Sequence, residues 1–174
     1  MNFFKRLFNL KAGPNPQRDK IKNKNLEEKL FNIKHKVETY FAYLLTIYND
    51  YVEQYNKNKA FRDMINKNTE PEAYIRNIDN GIHLTLKAIQ RVESAPYVYD
   101  LPKSIQQYMS ASKIQFILSL EHYVERDEII KKILTNNQDS HTVTMDQADE
   151  VLAKADQHLH SAMNYMEKSK ELLS

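Results

Sequence analysis

Six histidines and a group of carboxylates near residue 125 are the side chains of this chain that are best suited to chemistry. A di-iron helical bundle needs Glu-x-x-His motifs on its helices, but no histidine here has a glutamate three positions before it. His158 and His160 are two residues apart, so on a helix they point away from each other. The histidine spacing therefore predicts no metal site.

Glu121, Glu125 and Glu128 share one face of a predicted helix, beside His122. A carboxylate cluster can bind a hard cation, but Arg126 and two lysines are interleaved with it, which is typical of a solvated charged face. The chain also lacks a Gly-rich phosphate loop, a Gly-x-Ser-x-Gly elbow and an EF-hand loop. We predict a protein that is not an enzyme, with no catalytic residues, metal site or cofactor. A site without a known motif near Glu121, His122 and Glu125 is the enzymatic alternative.

The composition bounds the fold and the cell compartment. With 174 residues, the chain is long enough for one domain with its own core. It has no Cys, which excludes thiol catalysis, disulfides and thiolate metal sites and is consistent with a reducing cytoplasm. Two glycines and five prolines are too few for the tight turns of an all-β fold. No apolar run reaches the ~20 residues that span a bilayer, so we expect a cytoplasmic protein. The high content of Lys, Asn, Ile and Tyr resembles the amino-acid usage of bacteria with AT-rich genomes.

Four segments carry apolar residues at alternating intervals of three and four, the spacing of one helix face. The first and longest covers residues 25–57, and it either ends near residues 56–59 or continues to Ile65. The others cover residues 70–94, 101–134 and 145–173. Since short connections force neighbouring helices to run antiparallel, residues 25–174 are predicted to form an all-α, up-down-up-down four-helix bundle. Its core should include Leu44, Leu120 and Leu159.

Local signals place the helix starts. An N-cap residue followed three positions later by Glu or Gln forms a capping box. Three such pairs occur: Asn25 with Glu28, Thr69 with Glu72, and Thr144 with Gln147. Gly81 lies inside the second segment, but the helical spacing continues across it, so we predict helix rather than a turn there.

Residues 1–11 form a short amphipathic segment, and residues 12–24 form a basic linker that contains Gly13, Pro14 and Pro16. Ten residues are too few for a stable free helix in water, so this segment should order only against a surface. Residues 1–36 hold ten Lys or Arg and three Asp or Glu, a balance of +7, whereas the other 138 residues hold 15 and 20, a balance of −5. A basic end of this kind indicates either an anionic partner or a solvated tail, and the charge alone does not distinguish the two.

The sequence thus predicts a helical interaction or adaptor protein with a protein partner, docked peripherally on the inner membrane face through its N-terminus. The predicted membrane- or partner-binding residues are Phe3, Phe4, Lys5, Arg6, Leu7, Phe8, Leu10 and Lys11. A groove in a partner protein and the bundle itself are other places for this segment. A second predicted partner site is the connection that contains Tyr97, Tyr99 and Leu101. Nucleic-acid binding by the basic N-terminal third is the alternative function, and the oligomeric state is open.

Overall fold

A computed structural model describes residues 16–135 and 144–173 of this chain. These ranges contain four α-helices and no strand: α1 (Pro16–Met64), α2 (Pro71–Glu93), α3 (Lys103–Thr135) and α4 (Met145–Glu171). Over the same ranges, no helix combines the length and the apolar character needed to cross a membrane. The prediction of an all-helical chain is confirmed for this part.

α1 is longer at its N-terminal end than the sequence pattern predicted. It begins at Pro16, a residue that fits the first turn of a helix because its missing N–H has no partner to lose there. No glycine or proline follows until the helix ends, so residues 16–24, predicted as linker, are helical and Asn25 is not an N-cap. The helix ends at Met64, in agreement with the longer of the two predicted ends.

The other helix starts show one wrong capping box and one that forms. The N-cap of α2 is Glu70, which makes no side-chain cap hydrogen bond, so the predicted pair of Thr69 with Glu72 is wrong. Pro71 is the first residue of α2, so the N-cap is Glu70, one residue later than the predicted N-cap Thr69. At the start of α4, the Thr144 N–H donates to Oε1 of Gln147 over 3.1 Å, as predicted.

The four helices pack around one apolar core. α3 packs most extensively against α4 and also against α2, while α1 packs against α2 and contacts α4. The largest fully buried apolar side chains are Val37, Phe41, Leu44, Ile47, Ile78, Val92, Ile105, Phe116 and Leu120. Leu44 and Leu120 are therefore core residues, as predicted.

α4 contributes mainly small residues to the core, and Leu159 is only partly buried. Ala155 and Ala162 are fully buried instead. The Ser112 hydroxyl of α3 donates to the Ala162 carbonyl oxygen over 3.0 Å, which requires a close approach of the two helices. Small residues lie at the centre of this contact and Leu159 keeps part of its side chain exposed, so the prediction that Leu159 is buried is wrong.

Gly81 lies within α2 and is buried, so the helical interpretation of this stretch is confirmed. A Cβ atom at this position would lie 3.0 Å from Oδ2 of Asp127 and 3.2 Å from Nδ2 of Asn58. The glycine therefore allows polar side chains of α1 and α3 to approach the backbone of α2 closely.

Candidate functional site

The N-terminal part of α1, residues 16–36, is called the basic arm here. Between residues 24 and 36 no residue is buried, and Val37 is the first buried residue among those of α1 whose side chains the structure describes. Leu26, Leu30 and Ile33 are half-buried, and Phe31 is 70% exposed. This part of the apolar stripe therefore lies at or beyond the edge of the core.

The arm is also long and positively charged. α1 has 49 residues and is about 73 Å long, whereas α2, with 23 residues, is about 35 Å long. Between residues 24 and 36 there are four exposed lysines and two exposed glutamates: Lys24, Lys29, Lys34, Lys36, Glu27 and Glu28. Among these side chains, the structure pairs only Lys36, whose Nζ lies 3.9 Å from an Asp100 carboxylate oxygen. Lys24, Lys29 and Lys34 therefore make no ion pair with the described part of the bundle.

The predicted site at the α2–α3 connection is divided between surface and core. Tyr97 and Tyr99 are 47% and 78% exposed, and their ring centroids lie 4.7 Å apart. Leu101 is 7% exposed and belongs to the core. The Gln106 side-chain amide donates to the carbonyl oxygens of Tyr99 and Leu101 over 2.6 and 2.7 Å. The connection is thus held in place, and its exposed side chains are the two tyrosines.

The histidine and carboxylate face of α3 forms a surface contact with α4. Nδ1 of His122 lies 3.0 Å from Oε2 of Glu125, and its ring stacks on His158 with 5.2 Å between centroids. Nδ1 of His158 lies 2.7 Å from Oε1 of Gln115. Glu121 and Glu125 are exposed. Within the part of the chain that the structure describes, no group of three or more His, Asp or Glu side chains could hold a metal ion.

A buried ionic cluster lies between α1 and α3, and sequence reasoning missed it. Asp127 is fully buried, and the Tyr55 hydroxyl donates to its two carboxylate oxygens over 3.0 and 2.9 Å. Nη1 of Arg62 lies 3.7 Å from Oδ1 of Asp127, and Nη1 of Arg126 lies 3.4 Å from the same oxygen. We call these four residues the Asp127 cluster. A single carboxylate here faces two guanidinium groups.

Burial dominates the ionisation of this cluster. It raises the pKa of Asp127, although the nearby Arg62 guanidinium acts in the opposite direction. Burial, reinforced by the Asp127 carboxylate, raises the pKa of Tyr55 to about 12. For Arg62, burial lowers the pKa, but the Asp127 charge and Tyr55 oppose it, and the net pKa is raised. Tyr55 therefore remains a hydrogen-bond donor at neutral pH.

Three asparagines extend the polar contacts to α2. Nδ2 of Asn58 donates to the Asn77 carbonyl oxygen over 3.0 Å, and Nδ2 of Asn77 donates to Oδ1 of Asn58 over 3.0 Å. Nδ2 of Asn80 donates to the same oxygen of Asn58 over 2.7 Å. The sequence spacing indicated that the α1 side chains of these polar contacts face the bundle, because Tyr55, Asn58 and Arg62 continue the intervals of three and four of the apolar residues in α1.

Comparisons of this chain with protein-family models, with curated proteins and with solved structures gave no match. Its surfaces are therefore interpreted from their own residues. The predicted membrane-binding residues 3–11 lie outside the described residues, and the structure continues the same basic end as the helical arm from residue 16 onward. Of the two predicted sites, only the connection with Tyr97 and Tyr99 lies within the described residues, and these two side chains are exposed.

Proposed function

We propose that this protein is a non-enzymatic adaptor that docks on an anionic membrane surface through the basic arm and the residues before it. The observation that carries this proposal is the absence of any buried residue between positions 24 and 36, where the exposed lysines lie. A helix end without a buried residue, and with more exposed lysines than glutamates, is suited to an anionic surface. The bundle would then present its exposed faces, including Tyr97 and Tyr99, to a protein partner.

We also propose that the four helices run antiparallel, in an up-down-up-down order. Asp50 of α1 lies 3.1 Å from Arg91, whereas Asn58, later in α1, bonds to Asn77, earlier in α2. The contacts of α3 with α4 have the same inverted order, and they are Ser112 with Ala162 and Tyr123 with Asp156. In this arrangement the basic arm extends from the end of the bundle where α4 terminates.

The energetics favour reversible docking. Near an anionic leaflet each Lys or Arg contributes about 1 kcal/mol, and this attraction decays within a Debye length. Lys24 and Lys29 are fully available for it, because neither makes an ion pair with a described residue. Exposed Phe31, together with the apolar residues predicted at positions 3–10, would insert at the headgroup boundary. Binding should therefore need both anionic lipid and low salt.

Liposome flotation tests this proposal. The full chain should float with vesicles that contain phosphatidylserine at low salt, and it should remain unbound with neutral vesicles or at high salt. Lys24→Glu combined with Lys29→Glu should reduce flotation strongly. The matched control, Lys87→Glu with Lys154→Glu, makes the same charge change at exposed positions of α2 and α4 and should float like the wild type.

The contribution of the first residues is measured in the same assay. A chain that begins at Asn15 should not float, and Phe4→Glu with Phe8→Glu should weaken flotation. Membrane docking would be excluded if the arm and control variants floated equally, or if the full chain bound neutral vesicles as well. Retention of the full chain on nucleic acid, without flotation, would favour the nucleic-acid alternative instead.

A further inference from the structure

A cavity of about 290 Å³ lies beside the Asp127 cluster, where α1 ends and α2 begins. Four positive side chains line it: Lys59, Arg62, Lys67 and Arg126. The remaining wall is largely apolar and includes Ile130, Ile133 and Leu134 of α3. We call this space the cationic cavity. It lies at the C-terminal end of α1, whereas the basic arm is the N-terminal part of the same helix.

The positive charges of the cationic cavity exceed the negative charges that face them. Lys59 pairs with Asp63 over 2.8 Å. Arg62 and Arg126 share the carboxylate of Asp127. Lys67 is exposed and makes no ion pair with any residue that the structure describes. Four cations thus face two carboxylates, which leaves two positive charges at a partly apolar cavity.

Two of these cations also have hydrogen-bonding capacity that the protein does not use. Nη1 of Arg62 and Nε of Arg126 are buried and have no hydrogen-bond partner. Arg62 is only 4% exposed, and its nearest Asp127 oxygen, at 3.7 Å, lies beyond hydrogen-bond distance. A buried donor without a partner destabilises the folded chain. An anion bound between the two guanidinium groups would supply acceptors and negative charge together.

The neighbouring cavity shows what else the ligand should carry. It has a volume of about 400 Å³ and shares Lys67, Tyr74, Ile133 and Leu134 with the cationic cavity. The two spaces together reach the size of ordinary small-molecule sites. Since they share an apolar wall, a ligand with its anionic group near the guanidinium groups would extend a hydrocarbon chain along Ile133 and Leu134.

We propose that this end of the bundle binds a small amphiphilic anion, namely a carboxylate or phosphate monoester that carries a short hydrocarbon chain. Charge selects the head of the ligand, and the α3 side chains select its tail. This site is independent of membrane docking by the basic arm, and either function can fail without the other.

Isothermal titration calorimetry with the full chain tests the site. Octanoate and octyl phosphate should each bind once per chain. Octyltrimethylammonium, with the same tail and the opposite charge, should not bind, and inorganic phosphate should bind at least about tenfold more weakly than octyl phosphate because it lacks the tail. These comparisons use the unaltered protein, so they do not depend on the folding of any variant.

Two variants then locate the site. Lys67→Gln should weaken octanoate binding by roughly tenfold, the effect of losing one charge-assisted hydrogen bond. Lys87→Gln removes the same charge from an exposed position of α2 and should bind like the wild type. Ile133→Trp should abolish binding by filling the apolar wall. Circular dichroism verifies the helix content of each.

The proposal is wrong if octanoate does not bind, or if the cationic amphiphile binds equally well. It is also wrong if Lys67→Gln and Ile133→Trp, both folded, bind octanoate like Lys87→Gln, because binding would then take place elsewhere. If either Lys67→Gln or Ile133→Trp loses its helix content, the binding measured with the other variant tests the location of the site.

Discussion

Replacing Asp127 with asparagine keeps the shape of a fully buried side chain and removes its charge. The carboxylate lies 3.7 Å from Nη1 of Arg62 and 3.4 Å from Nη1 of the less buried Arg126, and two unit charges at such distances attract each other by about 4 kcal/mol at an effective dielectric constant of about 20. Burying a carboxylate costs several kcal/mol. The two terms have similar sizes and opposite signs, so the net effect of the substitution is small and its sign is informative.

The direction of the Asp127 pKa decides this sign. Burial raises that pKa, so the cost of desolvation exceeds the attraction to Arg62 and Arg126. With a folded-state pKa above the unfolded-state value, the folded chain binds more protons between the two values, and stability falls as the pH rises through this window. At pH 7 we therefore expect Asp127→Asn to be more stable than the wild type, by no more than about 1 kcal/mol, since the weaker bond from Tyr55 offsets part of the gain.

Urea unfolding followed by circular dichroism measures this difference. The advantage of the variant should shrink as the pH falls through the raised folded-state pKa of Asp127, and it should be gone below about 3.9, the ordinary pKa of an aspartate, because the wild-type carboxyl is then neutral in both states. Glu125→Gln, at an exposed position of the same helix, should change the free energy of unfolding by less than about 0.5 kcal/mol. A loss of about 3 kcal/mol or more in Asp127→Asn at pH 7 would refute the reasoning, because it would show that the ion pair outweighs desolvation.

Three further substitutions test the packing of the bundle by the same unfolding measurement. Leu120→Ala truncates a fully buried side chain and should cost about 2–5 kcal/mol, whereas Leu159→Ala should cost clearly less because Leu159 is partly exposed; equal losses would contradict the burial difference. Gly81→Ala should destabilise by about 1 kcal/mol, although alanine is favoured in exposed helices, because its Cβ would lie 3.0 Å from Asp127 and 3.2 Å from Asn58. A stabilised Gly81→Ala variant would mean that the neighbouring side chains move aside at no cost.

Helical periodicity predicted most of the secondary structure. The intervals of three and four predicted four helices, and α4 starts where Thr144 and Gln147 indicated. The start of α1 was not predicted because Asn25 has the features of an N-cap. No helix breaker lies between Pro16 and Asn25, however, and the helix continues through this stretch. Burial along α4 was missed for a different reason. Periodicity finds the face that contacts α3, but only the backbone distance decides whether Ala155 or Leu159 lies at its centre.

The Asp127 cluster lies beyond what an apolar pattern can detect. A pattern of apolar residues alone assigns Asp127 to the charged, exposed face of α3. Asp127 nevertheless lies seven residues after Leu120, which is two turns along the same buried side of the helix. Arg62 likewise lies seven residues after Tyr55. Each charged residue alone looks like a surface residue, and the attraction between the two offsets part of the cost of burying them. The partner of a buried charge is set by tertiary packing, so the sequence could locate both positions but not pair them. The cationic cavity depends on that pairing, since the single carboxylate shared by Arg62 and Arg126 leaves the excess positive charge that an anion would neutralise.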